Sequence, residues 1–257
     1  MVTTYENKLY DDKVTLVFEG RRHRYIWEEK DLVVKSVTTA LKIINKPALI
    51  HWASNMAVDY IMERILPGEV YDEMQLAPLW EEARWAHETN KVNAGKLGTF
   101  MHEWIESYIK GKKPQMPVNE RLQKSCRKFL GWVEKHDVKF LLSEQVVFSQ
   151  KYMYCGTSDF ICVIDGQKYI GDLKTSSGIY PEMLIQVAAY RYAREEEFPA
   201  EKYDGQLVIR IGREDGTLEV GICKGKPMYY AHFKAFVYAL SLSNSMDSLE
   251  KFVPDKE

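Results

Sequence analysis

The stretch GTSDFICVIDGQKYIGDLKTS, from Gly156 to Ser176, decides the fold. It sets Asp159 and Asp172 inside two otherwise apolar, strand-like runs that meet at Asp165 and Gly166. An Asp-Gly pair between β-branched and aromatic flanks favours a two-residue type I′ turn, so the spacing predicts an antiparallel hairpin. Such a turn pairs Ile164 with Gln167, Val163 with Lys168, Ile161 with Ile170, Asp159 with Asp172 and Thr157 with Lys174. The two aspartates then face each other, with Cβ atoms roughly 5 Å apart. A four-residue loop keeps this pairing, whereas a three-residue loop with a bulge shifts it by one and destroys it. Like charges directly opposite one another destabilise a sheet. The neighbours Phe160, Ile161, Val163, Tyr169 and Ile170 make the surroundings poorly solvated, which strengthens the repulsion. Something positive is expected between the carboxylates. Lys174 lies two residues beyond Asp172 and therefore on the same strand face.

Working outward, periodicity and chain breakers supply the remaining elements. VTLVFEG and RHRYIW, residues 14 to 27, look like a hairpin. Ser36 can cap a short helix, and Pro47 can open a longer one through HWASNMAVDYIMERI that Pro67 and Gly68 end. From about 79 to 137 the pattern is helical, interrupted near Gly111 and by Pro114 and Pro117. FLLSEQVVF (140 to 148), the central hairpin, and QLVIRIG paired with TLEVGIC through Asp215-Gly216 supply strands. A helix from about Pro181 to Glu197 lies between them, and a last one covers about 227 to 243. We therefore expect an α/β fold in a single domain over 1–257. A helical lobe at about 36–137 and an N-terminal hairpin accompany an α/β core at about 138–245.

At 257 residues, 46% hydrophobic and 28% charged with a formal net charge of −2, the chain reads as soluble, globular and without global basic character. Any nucleic-acid contact must come from local patches. No apolar run is long enough for a bilayer, and the start, MVTTYENKLYDDK, lacks a signal-peptide or transit pattern, so a cytoplasmic protein without membrane contact is expected. The four cysteines, Cys126, Cys155, Cys162 and Cys223, contain no CxxC pair, which argues against structural zinc or a disulfide framework.

Further polar groups could join the aspartates. His102 sits on the flank of an apolar stripe of Leu97, Met101, Trp104, Ile105 and Tyr108, with Glu106 one turn later; a satisfied histidine at a helix boundary is the alternative. Glu144 alternates with Leu142, Val146 and Phe148 on one strand face, and a solvent-facing strand end would explain it equally. Gln186 and Tyr190 lie four apart on one helix face, where core packing is the plainer explanation. On NERLQKSCRKFLGWVEKH, Arg121, Lys124, Lys128 and Lys135 share a face that is either a solvated surface or a phosphate grip. Arg21, Arg22 and Arg24, together with Lys110, Lys112 and Lys113, are other candidates for phosphate contacts.

The ordered set resembles a known family. A strand glutamate, an aspartate, a hairpin, Asp-x-Lys and a helix with Gln-x-x-x-Tyr, preceded by a helix with Gly-x-x-x-His, is similar to the PD-(D/E)XK nuclease superfamily and within it the RecB-like exonuclease branch. The resemblance covers Gly98 to Tyr190, with weaker similarity in SVTTAL near Ser36. Acid-any-lysine alone carries nothing, since the chain also spells it at Glu6/Lys8, Asp11/Lys13 and Glu28/Lys30; the full order is far more specific. GTSD stands where the superfamily's name has proline-aspartate, a departure shared by many RecB-like members. No trio of cysteines stands near the C-terminus, so no iron-sulfur cluster is expected.

The resemblance implies a restriction-endonuclease-like mixed β-sheet core flanked by helices. Asp159 and Asp172 would hold Mg²⁺ or Mn²⁺ with the backbone carbonyl of Leu173, hard oxygen ligands suited to either ion. His102 would be a further ligand. Lys174 would act on the attacking water or the phosphate, Gln186 and Tyr190 would touch a phosphate, and Glu144 would bind a second ion or orient a metal-bound water. The function expected is a metal-dependent DNA nuclease, an exonuclease in the first instance, acting on single strands or free ends. A non-catalytic nucleic-acid-binding or scaffold protein that kept the fold is the alternative from another class. Neither polarity nor oligomeric state is fixed by these residues.

Overall fold

Asp165 and Gly166 both take positive φ, 51° and 77°, as a type I′ turn demands. The computed structural model of the chain describes residues 4–212 and 216–252. Asp215, half of the second expected Asp-Gly turn, lies outside the described residues. The strands are β1 (Thr4–Leu9), β2 (Val14–Glu19), β3 (Arg24–Trp27), β4 (Leu32–Ser36), β5 (Lys139–Ser149), β6 (Tyr154–Ile164), β7 (Gln167–Lys174), β8 (Gly205–Ile211) and β9 (Leu218–Lys224). The α-helices are α1 (Val37–Ala40), α2 (Pro47–Met62), α3 (Glu73–Ile109), α4 (Glu120–Lys135), α5 (Pro181–Glu197) and α6 (Lys226–Leu249).

The strands form one nine-stranded sheet in the order β1-β2-β3-β4-β6-β7-β8-β9, with β5 also paired to β6. β4 with β6 and β7 with β8 are parallel, and the other pairs are antiparallel. This is a mixed sheet flanked by helices, consistent with a restriction-endonuclease-like core. The central hairpin keeps the register that its turn imposes from Ile164–Gln167 to Phe160–Gly171, but the ladder ends there, so Asp159 with Asp172 and Thr157 with Lys174 are not the directly facing strand pairs that the sequence predicts. Every residue of β8 is buried, the polar Gln206 and Arg210 included, as in a strand covered on both faces.

The chain divides into two compact units, Met1–Ile44 with Met101–Glu257, and Asn45–Phe100. In the first, α5 and α6 pack on the sheet through Val187, Ala188, Ala189, Phe233 and Phe236 against Tyr154, Ile161, Ile170 and Val208. A second cluster, Leu9, Val14, Leu16, Trp27 and Val34 with Phe148 and Cys155, seats the N-terminal strands on β5 and β6. α4 begins where Asn119 accepts hydrogen bonds from the N–H groups of Arg121 and Leu122, satisfying two of the donors that a helix start leaves open. It buries Leu122, Cys126, Phe129 and Val133 on one face. In the second unit, α2 opens on Pro47 as expected.

Two features extend the sequence reading. The N-terminal hairpin is part of a run of four antiparallel strands, since β1 and β4 flank it. α3 starts at Glu73 instead of about 79 and carries Pro78 inside. Its start is set by a reciprocal cap, in which Gln75 N–H donates to Asp72 Oδ1 at 2.8 Å and Asp72 N–H donates to Gln75 Oε1 at 3.0 Å. That capping box offsets part of the local cost of the proline.

Candidate functional site

The site grows from one irregularity in β6. β5 covers one edge of β6 from Tyr154 to Val163, so β4 and β7 must share the other. β4 pairs there only at Tyr154 and Cys155, and β7 takes over only from Phe160 onward. Between them, Gly156 to Asp159 have no strand partner on that edge, and β7 forks away from β6. Beyond the fork the N–H of Leu173 lacks a ladder acceptor. The carboxylate of Asp159 supplies one, accepting this N–H at Oδ2 over 2.6 Å. Ser158 donates to the carbonyl of Gly171 at 3.0 Å and ties β6 to β7 behind the fork.

Around the fork the structure gathers most of the expected residues. Asp172 is 2% exposed; its Oδ1 accepts from Gln186 Nε2 at 3.1 Å, and its Oδ2 is ion-paired with the ammonium of Lys174. No conventional hydrogen bond reaches that Oδ2, so the lysine is what compensates it. Gln186 Nε2 also donates to the Tyr190 hydroxyl at 2.8 Å, so the helix pair meets the site through Asp172. His102 Nδ1 lies 3.6 Å from Asp159 Oδ2. Glu144 sits in β5 with φ 49°, a left-handed conformation that a glutamate in a strand rarely adopts.

The charges bear on each other strongly. Burial pushes the Asp159 carboxyl well above the usual carboxylate range, the negative charge of Asp172 adds to this, and Lys174 and the Leu173 N–H oppose it. For Lys174, burial works downward, but Asp172 and Asp159 outweigh it and hold the ammonium above its ordinary value. Burial lowers His102, with Lys174 acting in the same direction against Asp172, so the imidazole is neutral at pH 7 and keeps a lone pair. Glu144 is exposed as a residue, yet its carboxyl is pushed up to about 7 by partial burial, then by Glu106, with Lys110 opposing. Burial holds the Tyr190 hydroxyl protonated.

This donor set suits a hard divalent cation of one kind. Among the described residues, no three His, Cys, Asp or Glu side chains converge as a ready-made cage. Two carboxylates beside a strand carbonyl, in excess over one lysine, match an ion that keeps most of its waters and takes remaining ligands from substrate phosphate. The residues present fit Mg²⁺ or Mn²⁺ in that manner.

Sequence reasoning missed several contributors. Gly156 is required because a Cβ there would stand 2.5 Å from the Tyr190 ring, and a glycine three residues before the aspartate was the available signal. Tyr25, whose hydroxyl is 3.0 Å from Thr157 Oγ1, carried no signal, because only the packing of the N-terminal strands brings it in. Of the basic candidates, Lys110 pairs with Glu106 and bears on Glu144, whereas those on α4 and in the N-terminal strands make no described contact with the fork. Arg121, Lys124 and Lys128 lie exposed on α4, where Lys124 and Lys128 line a shallow depression with Glu120, Gln123 and Arg127. Arg24 is tied to Glu19 at 2.6 Å and Arg22 approaches the same carboxylate at 3.9 Å, while Arg21 is exposed. The four cysteines are free and buried at separate places on α4, β6 and β9. No helix among the described residues is long and apolar enough to cross a membrane.

No protein-family model matches the chain, and no curated protein matches it. Among solved structures, SSO0001 is similar at 11% identity and TM-score 0.36, over 76% of this chain and 86% of that one. LHK-Exo in complex with dAMP is similar at 9% identity and TM-score 0.32, over 77% of this chain and 94% of that one. Likenesses of this size carry no argument, and the reading of the site rests on its residues.

Proposed function

We propose that the chain is a divalent-cation-dependent nuclease that hydrolyses phosphodiester bonds in DNA, working on single strands or free ends. One observation carries this reading: Asp159, Asp172 and Lys174 meet at the fork of β6 and β7, with the lysine paired to the buried aspartate and a neutral histidine beside the other. A structural ion pair does not need a second carboxylate beside it that burial, and then the charge of the first, push well above its ordinary range.

Asp159 and Asp172, with the Leu173 carbonyl and His102, would hold Mg²⁺ or Mn²⁺. The bound ion would supply Lewis acidity and a water easily deprotonated at neutral pH. Lys174 binds the phosphate oxygens on which negative charge grows during attack. Gln186 fixes the Asp172 carboxylate by its hydrogen bond and is itself held by Tyr190. Glu144 stands ready to accept the proton released when water attacks, since its carboxyl is pushed up to about 7, near the pH at which a general base works best.

One observation favours a nucleic-acid-binding protein without turnover: Lys174 and Gln186 already satisfy Asp172. The test separates the two. End-labelled single- and double-stranded DNA, linear and circular, is incubated with the protein and Mg²⁺ or Mn²⁺, alongside Lys174→Ala. Metal-dependent cleavage lost in Lys174→Ala supports the nuclease, and degradation of linear molecules alone makes it an exonuclease. Binding of these substrates with no cleavage under any metal condition establishes the rival.

A further inference from the structure

Gln206 of β8 and Cys223 of β9 are direct cross-strand partners, so their side chains leave the sheet on one face, and His232 of α6 meets both there. Its Nδ1 lies 3.2 Å from Gln206 Nε2 and 3.6 Å from Cys223 Sγ. Among the described residues this is the one place where a thiol meets an imidazole, and no described contact joins it to Asp159, Asp172 or Lys174.

Hydrogen bonding does not close in this cluster. A neutral imidazole nitrogen offers either one lone pair or one N–H. Gln206 Nε2 and the Cys223 thiol both present donors to Nδ1, while Nε2 also donates to the Leu184 carbonyl at 3.3 Å. Gln206 is 0% exposed, and its Oε1 has no partner, which is costly for a buried acceptor. Turning the amide over gives Oε1 a neighbour only by leaving Nε2 idle in its place. Burial raises the thiol and lowers the imidazole, so no thiolate–imidazolium pair relieves the conflict at neutral pH.

A metal ion relieves it. Zn–S of about 2.3 Å and Zn–N of about 2.0–2.1 Å at a tetrahedral angle set the two ligand atoms about 3.5–3.6 Å apart, the separation held between Cys223 Sγ and His232 Nδ1. On binding, the thiol proton passes to water, Sγ coordinates as thiolate, and Nδ1 lends its lone pair. The turned amide then brings Oε1 to a third position, where Nε2 now stands. The Leu184 carbonyl that loses Nε2 lies inside α5 and keeps the donor of its own helix. Cys223 is 6% exposed and His232 is half-buried, which leaves the ion an entrance and a fourth position for water. Mg²⁺ and Mn²⁺ prefer oxygen ligands, whereas thiolate and imidazole select zinc, so the fork and this cluster take different ions.

We infer that Cys223, His232 and Gln206 form a binding site for one zinc ion, separate from the fork. The plainer account is a thiol–imidazole hydrogen bond with nothing bound.

The test uses the full-length chain, stripped of metal by a chelator, kept reduced by a phosphine and held in excess Mg²⁺ to compete at the fork. Co²⁺, a spectroscopic stand-in for Zn²⁺, should bind at one per chain with a thiolate-to-cobalt charge-transfer absorption. Zn²⁺ should displace it, its affinity being read by competition with a chromophoric chelator. Cys223→Ser should abolish the absorption, and His232→Ala and Gln206→Leu should each weaken Zn²⁺ binding about tenfold or more, whereas Asp159→Asn keeps both readouts at the wild-type level. Cys223→Ala takes the place of the serine variant if melting temperatures show the latter to be unfolded. No charge-transfer absorption in the wild type, its persistence without Cys223, or wild-type Zn²⁺ affinity in either His232→Ala or Gln206→Leu would reduce the cluster to a hydrogen bond and end the proposal. None of these readouts involves DNA or cleavage, so the zinc site and the nuclease reading stand or fall separately.

Discussion

Asp159→Asn should stabilise the metal-free protein at neutral pH and destroy its response to divalent metal. Asp159 is the residue to neutralise because Asp172 already serves as the counter-charge of Lys174 and the acceptor for Gln186. Asparagine keeps an oxygen for the Leu173 N–H, so the hydrogen bond at the fork survives. The charge of Asp172 adds to the burial that raises Asp159, and two like charges within about 6 Å repel by about 3 kcal/mol at an effective dielectric of about 20. Lys174 offsets part of this, and the Asp159 side chain keeps 18% exposure to screening water. A net relief of about 1 kcal/mol remains, or a rise of roughly 2–4 °C in Tm for a chain of this size. The sign depends on pH. Folding raises the Asp159 pKa, so its penalty is absent below the unfolded value of about 3.9 and complete above the raised one. The gain should therefore fade in scanning calorimetry as the pH drops toward 4. Glu144, pushed up to about 7, leaves both proteins with a shared loss of stability as pH rises through neutrality. With Mn²⁺ at about a hundred times its Kd, the wild type gains about 2.7 kcal/mol and the variant far less, so their order reverses. A lower metal-free Tm for Asp159→Asn at pH 7.5, or equal stabilisation of both by Mn²⁺, would show that the aspartates neither strain the fork nor share an ion.

Lys174→Ala should abolish cleavage and lower the metal-free Tm, because it strands the buried Asp172 carboxylate at a cost on the order of 3 kcal/mol; calorimetry and a gel assay read the two effects, and turnover near wild type would contradict its assigned role. Gly156→Ala forces a Cβ to within 2.5 Å of the Tyr190 ring, so we expect a loss of about 1–3 kcal/mol by overpacking and reduced activity at saturating DNA. Wild-type behaviour would mean that Tyr190 can shift without moving Gln186 and Asp172. Replacing Lys124 and Lys128 together by glutamine should flatten the slope of log affinity against log salt for single-stranded DNA by about 0.7 for each phosphate the helix no longer neutralises. An unchanged slope would make the exposed face of α4 a solvated surface.

The parts of the fold that were legible are those written by local chemistry. Asp165-Gly166 dictates a turn, the turn dictates the register, and the pairing from Ile164–Gln167 to Phe160–Gly171 follows. Pro181 opens α5 as its first residue and the helix ends at Glu197, as expected. What escaped was written elsewhere. β1 reads TYENKL, mostly exposed and polar, and becomes a strand because β2 offers a partner and Leu9 joins the core under Trp27. β4 is short, and its parallel pairing touches β6 at two residues only, too little for any pattern to announce. The start of α3 lies in the reciprocal cap of Asp72 and Gln75, ahead of a proline that local propensity alone would place outside a helix.

At the site, the same division separates which residues matter from what each one touches. Spacing alone brings Asp159, Asp172, Lys174, Gln186 and Tyr190 into one order, yet it suggests that Gln186 and Tyr190 face a phosphate, whereas in the folded chain they brace Asp172. The difference arises from the fork. If β7 stayed paired to β6 as far as Asp159, Leu173 would find its hydrogen bond in the ladder and the Asp159 carboxylate would be idle. Because β4 occupies the beginning of that same edge, β7 leaves the ladder early and the Asp159 carboxylate takes the N–H instead. That contact fixes one carboxylate at the mouth of the opening while the other is buried behind it with its lysine. A strand near the N-terminus thus shapes a site whose acids lie more than a hundred residues later, and no local pattern can express such a dependence. It follows that deleting β1 to β4 should damage the fork itself, through the lost pairing at Tyr154 and Cys155.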